Sequence, residues 1–118
     1  MMILKGSSSS IMKEYRYMRT MIFFDLPTLT ATQRKNYRTF VKKIKSLGFF
    51  MMQESVYVKM SINDQYAEAT LKSVRQYLPK EGSVFSLTIT EKQFASMEFM
   101  VGDYKTEVLE TDERIIEL

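Results

Sequence analysis

Apolar and polar positions alternate between two periods along this chain, and the switches mark the elements. Tyr15 to Phe24 is aromatic and apolar, broken only at Arg16, Arg19 and Thr20. The continuous run Met21-Ile22-Phe23-Phe24 predicts a central strand covered on both faces. From Tyr37 the period lengthens. Tyr37, Phe40, Val41, Ile44 and Leu47 fall at i, i+3, i+4, i+7 and i+10, which is one apolar stripe on a helix. Thr28 or Thr30 can cap its start, with Gln33 three residues after Thr30 as in a capping box. Gly48 stands where a helix-ending glycine belongs.

"FFMMQESVYVKM" returns to strand character on both sides of a polar step at Gln53-Glu54-Ser55. Two short strands or one bulged strand would fit it. A second helix follows, with Asn63 or Asp64 as cap, Ala67, Leu71, Val74 and Leu78 as stripe, and Pro79 as stop. Gly82 turns the chain into "SVFSLTIT", a strand. "EKQFA" is expected as a short polar connection and "SMEFMVGD" as a further strand. The predicted order is β-α-β-(β)-α-β-β. It points to an α+β fold, a ferredoxin-like βαββαβ sandwich with an extra C-terminal strand and two helices on one face of an antiparallel sheet.

The chain divides into a flexible lead over 1–14, rich in Gly and Ser, a domain over 15–102, and an acidic extension over 103–118. The extension ends "RIIEL" and suits partner or dimer docking. No apolar run approaches the roughly 20 residues that span a bilayer, and the short apolar start is not a signal peptide. No membrane association is expected.

Composition narrows the chemistry. Among 118 residues there is no cysteine and no histidine. Disulfides and thiolate metal sites are excluded, which suits a cytoplasmic protein. So are Ser-His-Asp and Cys-His catalysis and His-ligated zinc. Carboxylates, lysine, tyrosine, hydroxyls or an oxygen-ligated metal must carry any reaction.

Charge is unevenly spread. Residues 1–53 hold 10 Lys and Arg against 2 acids, whereas residues 54–118 hold 7 against 12. No acid occurs between Leu26 and Gln53, and Arg34, Lys35, Arg38, Lys42, Lys43 and Lys45 all fall there. The pattern fits a polyanion-binding face or, more plainly, a solvated helix surface. The (K/R)-G-(F/Y) run of an RNA-recognition module is missing from "SVYVKM", and the isolated glycines form no phosphate-binding loop.

Asp25 ends the first strand beside a helix N-terminus. It can be a turn acid favoured by the helix dipole, or a ligand for a hard metal. Mg²⁺ is usually held by one or two carboxylates with waters and phosphates, so one aspartate per chain is a poor site unless a two-fold dimer adds a second copy.

Four stretches, "RYMRTMIFFDLPT", "QESVYVKM", "SLTITEKQFASMEFMVGD" and "DERIIEL", in this order and spacing, resemble the CRISPR-associated protein two family. The last two resemble the subtype that accompanies the Cas9-type effector. The resemblance runs from about Tyr15 to the C-terminus. It implies a ferredoxin-like homodimer that bridges dimers of the CRISPR-associated integrase and binds double-stranded DNA, the spacer precursor, during spacer acquisition. As the alternative, it implies a Mg²⁺-dependent endonuclease on RNA or DNA, with Asp25 of both subunits as metal ligand and catalytic residue. On this reading Arg16, Arg19, Arg34, Lys35, Arg38 and Lys42 track the nucleic-acid backbone through phosphate contacts.

Overall fold

The structure is a computed structural model that describes residues 16–103. The lead over 1–14 and the "RIIEL" terminus lie outside the described residues. β1 (Met18–Asp25) carries the sheet: β3 (Val56–Ser61) pairs on one side of it and β4 (Ser83–Thr90) on the other, both antiparallel. β2 (Phe50–Gln53) adds outside β3, so the order is β2-β3-β1-β4. The polar step at Glu54-Ser55 is a turn between two strands, and the register slips between Met51 and Gln53. α1 (Ala31–Ser46) and α2 (Asp64–Arg75) complete the ferredoxin-like βαββαβ arrangement.

The helices start where their sequences can satisfy free N–H groups. The Thr30 hydroxyl accepts from the Gln33 N–H at 3.1 Å, and the Gln33 carboxamide oxygen accepts from the Thr30 N–H at 3.0 Å. Asn63 caps α2 by accepting from the Tyr66 N–H at 2.9 Å. Such a cap contributes about 1 kcal/mol. α1 ends at Gly48, whose φ of +103° reverses the chain toward β2.

Pleating sends alternate residues of β1 to opposite faces. Ile22 and Phe24 meet Phe40 and Ile44 of α1, Val74 of α2 and Tyr57 of β3 in one buried cluster. Phe24 sits edge-on to Phe40 at 5.4 Å between ring centroids. Burying a ring such as Phe40 contributes about 1.5–3 kcal/mol, and this cluster fixes the helices to the sheet.

Met21 belongs to the other face, with Met52, Val58 and Phe94. Here the structure corrects the sequence reading twice. "EKQFA" is a helix, α3 (Glu91–Ala95), opened by a second capping box in which Thr90 and Gln93 exchange hydrogen bonds. It inserts Phe94 under the sheet, and Arg19 clamps it. The Arg19 guanidinium donates to both Glu91 carboxylate oxygens, at 2.6 and 3.1 Å, and lies 4.5 Å from the Phe94 ring centroid.

The second correction concerns "SMEFMVGD", which forms no strand, so the expected extra strand is not found among the described residues. Met97 and Phe99 pack against the second face as irregular chain instead. Leu78, read as part of the second helical stripe, lies beyond the end of α2 and is 47% exposed. No helix among the described residues is long and apolar enough to cross a membrane.

Candidate nucleic-acid and metal site

Asp25 is the last residue of β1 and is exposed. It pairs in register with Ser83, and the strand's alternation puts it on the face away from α1 and α2, with Met21 and Phe23. Its main chain is held from behind. Gly82 has φ of +90°, and a Cβ there would lie 2.5 Å from the Asp25 carbonyl oxygen and 3.0 Å from Leu26 Cα. Only a glycine hydrogen fits that approach. Leu26 is buried in the helix-side core, so the chain is anchored on both sides of the acid.

Beside Asp25 on this face runs an apolar strip. Phe23 stacks on Phe85 with centroids 5.1 Å apart and planes 11° apart. Phe85 is nevertheless 61% exposed, and Leu87, opposite Met21 on the same face, is 51% exposed. α3, Met97 and Phe99 cover part of the second face and leave this strip bare.

Asp25 offers a hard oxygen donor, which fits Mg²⁺ in kind. It does not fit in number: among the described residues no three acidic, His or Cys side chains form a metal-holding group. With one carboxylate from this chain, the remaining ligands of such an ion would be waters, phosphates or groups from a second molecule.

The six bases expected on nucleic acid divide. Arg34, Lys35, Arg38 and Lys42 are all exposed on the outer surface of α1, opposite the buried Phe40 and Ile44. Arg34 is partly engaged: its Nη1 donates to the Thr28 and Leu29 carbonyls at 3.2 and 2.9 Å. Arg16 is exposed just ahead of β1. Arg19 does not join them. It points to the opposite face of the sheet and is committed to Glu91 and Phe94.

Two features escaped the sequence reading. Lys43 was counted with the basic segment but not with the site; its ammonium lies 4.5 Å from the ring centroid of Tyr77, a residue beyond α2. The exposure of Phe85 and Leu87 was also missed, because alternation in "SVFSLTIT" marks a strand without saying which face is covered.

Comparison with known proteins agrees with this architecture. The family model for CRISPR associated protein Cas2 matches residues 18–97. A protein of Treponema denticola named CRISPR-associated endoribonuclease Cas2 is 46% identical over 101 residues, covering 86% of this chain and all of the relative. One of Ligilactobacillus salivarius with the same name is 46% identical over 99 residues, covering 84% of this chain and 98% of that protein. A solved structure described as "Crystal structure of cas2" superposes with a TM-score of 0.53 at 17% identity, over 75% of this chain and 91% of that one. That likeness speaks to the fold alone, whereas the sequence matches reach further. The chain belongs to the CRISPR-associated Cas2 family.

Proposed function

We propose that this chain acts as a homodimeric, duplex-binding subunit in CRISPR adaptation, bridging the CRISPR-associated integrase while foreign DNA is inserted into the repeat array. The observation that carries the reading is the separation of two surfaces. Basic side chains with no acid among them line the outside of α1, and a bare apolar strip lies on the far side of the sheet. The first suits a phosphate backbone, and the second suits a second copy of the chain. Bases that touch only phosphates position a duplex without reading its sequence, as an adaptor for arbitrary DNA requires.

The test is duplex binding across a salt series, with the purified chain alone and with the integrase. Two copies each using Lys35, Arg38 and Lys42 would release counterions from about six phosphates, so affinity should fall roughly a thousandfold between 50 and 200 mM salt. Binding indifferent to salt, or absent in both settings, overturns the proposal.

A second reading is a metal-dependent endonuclease, favoured by the relatives' name and by the place of Asp25 beside the apolar strip. A two-fold axis passing beside Asp25 at the end of that strip would bring two aspartates together. Mg²⁺ bound there would supply Lewis-acid stabilisation and an activated water. The chain's own part is to fix the main chain that carries the carboxylate, through Gly82 and the buried Leu26. Asp25→Asn should abolish cleavage of RNA or DNA while the dimer stays folded. Cleavage that survives the change, or survives chelation, removes this reading.

A further inference from the structure

A groove of about 330 Å³ runs between α1 and the segment that follows α2, lined by Asn36, Thr39, Tyr77, Pro79 and Lys80 among others. Its chemistry differs from that of the outer α1 surface. Tyr77 is 41% exposed as a residue, and the Lys43 ammonium lies over one face of its ring. Lys80 lines the groove and is exposed, and the exposed Asn36 amide carries both a donor and an acceptor. The groove continues past Asn36 and Pro79, which also line a smaller hollow with Leu26 and Pro27, the two residues after Asp25.

We propose that this groove is a subsite for an unpaired nucleotide of a single-stranded nucleic acid. The inference rests on the nucleic-acid reading above and adds a ligand class and residues to it. A flat base can use an exposed aromatic ring as a platform, and stacking tolerates any sequence. Lys43 stands over one face of the ring, so a base would take the other face, and Lys80 lines the groove where an adjoining phosphate would pass. Asn36 can meet a base edge with paired donor and acceptor. The bases of a duplex are stacked on one another and cannot use Tyr77, so the subsite separates single strands from duplexes. An acidic peptide would satisfy the lysines but would leave the ring and the amide unused. Glu81, which accepts from Gln33 Nε2 at 3.4 Å, marks the end of the groove nearest Pro27 as unfavourable for a phosphate.

The experiment is fluorescence anisotropy with the full chain and two labelled probes, a single-stranded oligothymidylate and a mixed-sequence duplex of the same length. Tyr77→Ala should weaken single-strand binding by roughly tenfold, Tyr77→Phe should restore it, and duplex binding should not change. Lys43→Gln should lower the salt slope for the single strand by about one. Equal loss on both probes, or no loss with Tyr77→Ala, overturns the inference. So does polyglutamate competing as well as an oligonucleotide of equal charge. Duplex affinity of the unmutated chain reports separately on the parent reading, so the two failures can be told apart. Circular dichroism melts of each variant confirm that the comparison is between folded proteins.

Discussion

Gly82→Ala perturbs the backbone that holds Asp25. Two costs add. Alanine at φ of +90° sits in a region that costs an L-residue about 1–2 kcal/mol. Its methyl would also lie 2.5 Å from the Asp25 carbonyl oxygen, a main-chain atom of the central strand that cannot rotate away. Separating β4 from the end of β1 resembles overpacking, at about 1–3 kcal/mol. The lower entropy of the unfolded alanine chain offsets about 0.4–1 kcal/mol. The net is about 1–4.6 kcal/mol, which for a domain of this size lowers Tm by roughly 4–37 °C.

Gly48→Ala is the internal control. It has a similar φ, +103°, but its nearest neighbour is Lys59 Cε at 2.8 Å, the movable end of a side chain. It should carry the conformational cost without the clash, a loss of about 1 kcal/mol. Thermal melts at one fixed protein concentration decide the matter, since association shifts Tm by mass action. If the two variants melt together, the close approach to Asp25 has no energetic weight and the argument for a braced main chain at Asp25 fails.

Other outcomes follow from the same geometry. Arg38→Ala should reduce the salt slope of duplex binding by about two, one for each copy in the dimer, while Arg34→Ala should reduce it less, because Arg34 already serves the Thr28 and Leu29 carbonyls; equal slopes would refute the distinction. Phe85→Asp puts a charge in the middle of the bare apolar strip and should turn a dimer into a monomer by light scattering, with the fold retained; an unchanged mass places the interface elsewhere. Thr30→Ala should cost about 1 kcal/mol in urea unfolding and Thr28→Ala almost nothing, since Thr30 alone caps α1.

Much of this architecture was legible because long elements repeat their signal. α1 shows its period over three turns, its cap at Thr30 and its stop at Gly48, and each clue agrees with the others. α3 was missed for the opposite reason. It has five residues, four of them not buried, and one turn shows no period. Its mark was there all the same: Thr90 and Gln93 repeat the spacing of Thr30 and Gln33. "SMEFMVGD" looked like a strand because Met97 and Phe99 alternate with polar residues, yet that alternation serves packing against the second face without a neighbour to pair with.

The candidate site was legible in its parts and not in its grouping. Asp25 and the α1 bases are local features of the sequence. The fate of Arg19 depends on Glu91, 72 residues away, and the Lys43–Tyr77 contact joins the end of one helix to the segment after the other. Pairings of that kind come from tertiary closure, which no spacing along the chain encodes.

The place of β4 in the sheet order has a consequence for solubility. It is outermost, eight residues long, and among the described residues only β1 lies beside it. Its free side therefore presents a row of main-chain N–H and C=O groups, next to Phe85 and Leu87, with no proline or bulge to deter pairing. Edges of this kind recruit other strands, either the intended one or copies of themselves. A chain kept from its assembly would tend to aggregate by adding strand to strand. Correct association would then do more than build a functional complex: it would close the route to insoluble protein.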